Sequence, residues 1–122
     1  MDRDIRAKLI ELARLRTTWT YSQLKEQLQL NLNFSDAFER KLIGECLGEV
    51  SVYEYERGRP VLSCLITHQN GLREQGDGFY KFCEDLYSED WKTLKANKKW
   101  ENQADCYEFW LKPDNYKNFK ND

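Results

Sequence analysis

A length of 122 residues suits one domain that can bury roughly two-thirds of its unfolded surface, and the make-up (40% hydrophobic, 14% aromatic, two prolines, six glycines) excludes a disordered or low-complexity chain. The net charge of −2 excludes the indiscriminate nucleic-acid binding of a strongly basic protein while leaving room for a local patch. The first twenty residues carry charges every few positions, so they read as neither a secretory signal nor a spanning helix, and a cytoplasmic protein with no membrane partner is expected.

From residue 2 to 15, Ile5, Leu9, Leu12 and Ala13 recur at three- and four-residue steps, which predicts an amphipathic helix. Thr20-Tyr21-Ser22-Gln23 fits a capping box, followed by a short second helix with Leu24 and Leu28 on one ridge. Ser35 or Asp36 can cap a third helix with Phe38, Leu42, Ile43, Cys46 and Leu47 as its buried stripe and Gly48 as its stop.

The alternation of VSVYEYE, residues 50–56, then predicts a strand, Arg57-Gly58 a turn, and residues 60–67 a second strand pairing antiparallel with the first. Gln69-Asn70-Gly71 ends that hairpin. Gly76 and Gly78 mark a tight loop in which Asp77 caps a helix over 79–86; two more helices follow at 89–95 and 97–111, the last stopped by Pro113. The expected architecture is a single α+β domain. It has three N-terminal helices, a central antiparallel β-hairpin and a helical, aromatic-rich C-terminal part from residue 76.

That order is the order of a winged helix. The run TTWTYSQL (Thr17 to Leu24), then RKLIGECLGEV (Arg40 to Val50), then Arg59-Pro60 and Asn70-Gly71 resembles the C-terminal winged helix of the DNA alkyltransferases and alkyltransferase-like proteins, over residues 15–75. In that family a Thr-Tyr-Gly helix start precedes an Arg-Ala-Val-Gly-x-x-Leu recognition helix. The resemblance implies that Arg40 sits near the family's intercalating arginine and Tyr21 near its base-flipping tyrosine. The family's Pro-Cys-His-Arg motif is absent: Pro60 is followed by Val61-Leu62-Ser63-Cys64, with no His or Arg after the cysteine. DNA contact without alkyl transfer is therefore implied.

Cys46, Cys64, Cys83 and Cys106 form no CxxC or CxH pair and read as buried free thiols rather than zinc ligands or disulfides. His68 is the only histidine, and on one strand it would lie about 13 Å from Cys64, too far for a nucleophile and its base. Glu54 and Glu56 would share one solvated strand face with no third acid at a metal-binding spacing. The aromatics after residue 79 read mainly as core. No catalytic residue, metal or cofactor is expected.

Seven of the eight arginines lie in residues 1–60, and arginine's planar fork suits phosphate. The sequence thus points to a non-enzymatic nucleic-acid-binding accessory or regulatory module. Tyr21, Arg40 and Lys41 of the helical part and Arg57 and Arg59 at the hairpin tip would carry the contact, with DNA favoured over RNA. The alternative is a protein-interaction or inhibitor protein binding a protein partner.

Overall fold

In the computed structural model the described residues are 1–29, 36–67, 77–88, 90, 92–93, 96 and 101–122. The order is α1 (Arg3–Arg14), β1 (Trp19–Thr20), α2 (Tyr21–Gln27), α3 (Ala37–Glu56), a 3-10 turn (Leu62–Leu65), β2 (Ile66–Thr67), α4 (Asp77–Tyr87), α5 (Glu101–Leu111) and α6 (Pro113–Phe119). His68, the turn at 69–71, Gly76 and most of the helix expected over 89–95 lie outside the described residues.

The N-terminal elements follow their local chemistry. Asp2 caps α1 by accepting from the backbone N–H groups of Asp4 and Ile5, and Ile5, Leu9, Ile10, Leu12 and Ala13 are buried. The capping box of α2 is present in both directions between Thr20 and Gln23. Asp36 caps α3 through Phe38 and Glu39 N–H.

The hairpin is the chief correction. Residues 50–56 do not leave the helix at Gly48 but complete a 20-residue α3, and the two short strands run parallel, Trp19 beside Ile66 and Thr20 beside Thr67. Among the described residues there is no antiparallel wing. The mixed α+β class holds, with helix predominating. Two causes are visible. Val50 and Glu54, one helical turn apart, are both completely buried, and tertiary contacts of that kind outweigh the weak strand preference of Val and Tyr. Gly48 needs no turn, because it has no positive φ and an added Cβ would stand at an ordinary 3.5 Å from the Phe82 ring of α4. The helix stops instead at Gly58, whose φ of +71° favours glycine, with Arg59 N–H returning to the Glu54 carbonyl.

The second expected strand is mostly the 3-10 turn, whose Leu62, Cys64 and Leu65 are fully buried in one core with α1, α3 and α5. α3 and the 60–67 segment thus pack together without forming a hairpin: Ile43, Leu47, Val50, Leu62, Cys64 and Leu65 are buried, and Val52 is half-buried. Two residues assigned to the buried stripe of α3 face outward, Phe38 at 67% and Leu42 at 38% exposure. Pro113 both ends α5 and begins α6, where its missing N–H costs no hydrogen bond.

Candidate functional site: the outer face of the long helix

A helix of 20 residues runs about 30 Å, and α3 uses two opposite faces differently. Ile43, Leu47, Val50 and Glu54 form its buried stripe. A groove of about 1350 Å³ runs from the edge of that stripe to the outer side of the helix, which carries Glu45, Glu49, Val52 and Glu56. Ile43, Leu47 and Thr67 lie deep in it, Gly44, Gly48 and Val52 line the α3 side, and Phe79 and Phe82 of α4 and Tyr21 of α2 line the rest. Burial raises the pKa of the Tyr21 hydroxyl. An added Cβ at Gly44 would meet nothing within 4 Å, so the groove is open beside that turn.

Charge is divided along this face. Arg40 and Lys41 stand at the N-terminal end of the groove, and the exposed carboxylates of Glu45, Glu49 and Glu56 follow along it. Glu49 lies 3.5 Å from the Met1 amine. Cys46, half-buried on the same helix, has its thiol pKa raised by burial and by the nearby Glu49, Asp2 and Glu45 carboxylates.

Three of the five sequence-derived contact residues, Tyr21, Arg40 and Lys41, therefore meet at one groove. The other two do not join them. Arg57 caps the far end of α3, some 17 residues or about 25 Å from Arg40 along the axis, where its guanidinium stacks 3.6 Å over the Tyr53 ring. Arg59 is not at an exposed tip: it is 6% exposed, pairs with the fully buried Glu54 and donates to Asp122 Oδ2 at 2.7 Å. Burial disfavours its charge, but the hydrogen bonds to Glu54 and Asp122 outweigh that and raise its pKa.

Glu54, expected beside Glu56 on a solvated strand face, is the centre of a buried ionic cluster. It takes Arg6 Nε on one oxygen and Arg59 Nε on the other. Arg6 also donates to the Phe119 and Lys120 carbonyls, Arg3 to the Asp122 carbonyl, and Arg14 to the Trp110 carbonyl while stacking 3.8 Å over Tyr116. Four N-terminal-half arginines thus bind the C-terminal helices. Sequence reading missed this cluster. The signal available was the crowding of arginine before residue 60 together with an acid, Glu54, in register with the apolar stripe of α3.

Cys64 and Cys106 are fully buried with sulfurs 3.5 Å apart, both directed at the Val61 carbonyl. Burial, then the Cys106 contact, pushes the Cys64 thiol well above its usual pKa. Burial alone pushes Cys83 to about 12. Among the described residues no three His, Cys, Asp or Glu side chains converge to hold a metal, and no helix is long and apolar enough to cross a membrane.

No family model, curated protein or solved structure matches this chain.

Proposed function

We propose that this chain is a protein-interaction module that receives a segment of a partner protein along the outer face of α3. The observation that carries the reading is the groove itself. At about 1350 Å³ it exceeds the roughly 300–1,000 Å³ typical of small-molecule pockets. The same helix also exposes Phe38 and Leu42 at its N-terminal end, outside the groove lining. Contiguous exposed apolar surface rimmed by charge is the usual mark of a protein contact.

Nucleic-acid binding, the other reading of the sequence, has less support from this face. Of the arginines offered for phosphate, Arg59 is spent on Glu54 and Asp122, Arg57 lies at the far end of α3, and three carboxylates stand between it and Arg40. Carboxylates along a surface repel a polyanion.

Selection of a displayed peptide library on the folded protein tests the proposal, with Gly44→Trp as the blocked form. Position 44 has room for a side chain, so the variant should fold and fill the groove. Peptides that bind wild type and lose at least about tenfold in affinity on Gly44→Trp are expected. Enriched peptides indifferent to Gly44→Trp would overturn the groove as the site. Oligonucleotide binding tighter than about 100 μM at 50 mM salt, the loose end of non-specific affinity, would return the reading to nucleic acid.

A further inference from the structure

The spacing of exposed residues on α3 is more informative than the groove volume. Phe38, Leu42, Glu45, Glu49, Val52 and Glu56 succeed one another at steps of 4, 3, 4, 3 and 4 residues. Those steps keep all six residues on one narrow stripe of the helix, mixed apolar and acidic, along which a second helix can lie. Five of the six are exposed and Val52 is half-buried, so the stripe packs against none of the described helices as a core seam would.

The chemistry of the stripe constrains what could cover it. Phe38 and Leu42 at one end and Val52 toward the other want apolar side chains, while Glu45, Glu49 and Glu56 place three carboxylates in or beside the seam. Neither Glu45 nor Glu56 has an ion-pair partner among the described residues, and Glu49 has only the Met1 amine. An apolar helix laid there would strip these carboxylates of water with nothing in exchange, at a cost that opposes binding. A helix carrying lysine or arginine opposite them would not. Lys41, beside Leu42, asks for the reverse, an acidic or carbonyl-bearing partner group at that end.

We infer that the partner segment is an amphipathic α-helix with apolar residues meeting Phe38, Leu42 and Val52 and with basic residues meeting Glu45, Glu49 and Glu56. This rests on the protein-interaction reading above and specifies its partner. An acidic or purely apolar helix is disfavoured by the same carboxylates.

The test uses two stapled 18-residue helical peptides of identical apolar seam, one with four lysines and the other with four glutamates at the flanking central positions. Three solvent-exposed ion pairs, each a factor of about 1.4 to 5, predict that wild type favours the lysine peptide by roughly three- to a hundredfold. The preference should shrink between 50 and 500 mM salt. In Glu45→Lys/Glu49→Lys/Glu56→Lys it should vanish or reverse. All three positions are exposed, so folding should survive; Glu45→Lys/Glu56→Lys, which keeps the Glu49–Met1 contact, serves as the milder variant and should show a partial loss.

Equal binding of the two peptides to wild type, or a lysine preference that persists in the triple variant, would overturn the inference. If both peptides bind equally and both are lost on Gly44→Trp, the basic partner falls and the interaction groove stands. If neither peptide binds, or binding ignores Gly44→Trp, the basic-helix inference falls, and the library selection alone decides the wider reading.

Discussion

Replacing Glu54 by glutamine should be the most damaging conservative change in the chain. The substitution keeps side-chain volume and removes one charge, so packing is nearly unchanged and the effect isolates electrostatics. Glu54 is 0% exposed, and its partners Arg6 and Arg59 are 2% and 6% exposed, so both guanidinium groups would lose their shared buried counter-charge. Breaking one buried pair by deleting a partner costs about 3–5 kcal/mol. At roughly 0.05–0.15 kcal/mol per residue a domain of this length has about 6–18 kcal/mol in total. With an m-value near 2 kcal/mol per molar urea, the midpoint should fall by about 1.5–2.5 M. Urea unfolding followed by circular dichroism and tryptophan fluorescence measures it, with exposed Glu56→Gln as the control expected to stay within about 0.5 kcal/mol. A double-mutant cycle with Arg59→Met should give a combined loss smaller than the sum of the two singles, because removing both charges relieves part of the penalty. If Glu54→Gln unfolds no earlier than Glu56→Gln, the buried cluster does not hold the fold together.

Two further outcomes are expected from the same structure. In the folded protein iodoacetamide at pH 8 should label Cys46 first, while Cys64, Cys83 and Cys106 react only as the chain unfolds, since the thiolate is the nucleophile and burial holds Cys64 and Cys83 in the thiol form. Mass spectrometry of peptides, and of protein incubated with alkylated DNA, checks both points; labelling of Cys64 before Cys46, or alkyl transfer to Cys64, would contradict them. The Arg59 hydrogen bond holds the Asp122 carboxyl below its usual pKa, so its stabilisation is complete above the unfolded value of about 3.9 and is lost as pH falls through the lower folded value. Asp122→Asn should therefore melt below wild type at pH 7 and converge with it toward pH 2; a difference unchanged across that range would remove the Asp122–Arg59 pair from the account.

What could be read from the sequence was what is decided within a few residues. The stripe of α1, the Thr20–Gln23 capping box and the Asp36 cap of α3 depend on neighbours at i+2 to i+4, and all three stand in the structure. Residues 50–56 failed because their two short alternations, Val-Ser-Val and Tyr-Glu-Tyr-Glu, are local signals, while the deciding contacts of Glu54 come from Arg6, 48 positions earlier, and from Arg59 beyond the helix end. Taking Glu54 for a surface residue made the strand look half-solvated. Taking it as buried makes Ile43, Leu47, Val50 and Glu54 one helical stripe. Arginine was similarly ambiguous, for its fork serves a buried carboxylate and a row of chain-end carbonyls as well as it serves phosphate. The groove was legible only in part: Tyr21, Arg40 and Lys41 were singled out, whereas Phe38 and Leu42 were assigned to the core because helical spacing alone does not tell which apolar stripe faces inward.

The two faces of α3 are linked through rigidity. A docking surface on an ordered helix loses little conformational freedom when a partner arrives, which leaves more of the contact energy for affinity. Here that order is imposed from behind. Val50 and Glu54 fix the C-terminal half of α3 against α1 and the arginine cluster, and Ile43 and Leu47 fix the middle against the core. Gly44 packs against nothing. Its Cβ would enter open space, and a glycine within a helix costs about 1 kcal/mol relative to alanine. A glycine that weakens the helix and opens onto the groove fits the close approach of a partner proposed above. The inner stripe of α3 serves the fold, and the outer stripe stays open to the partner helix proposed above.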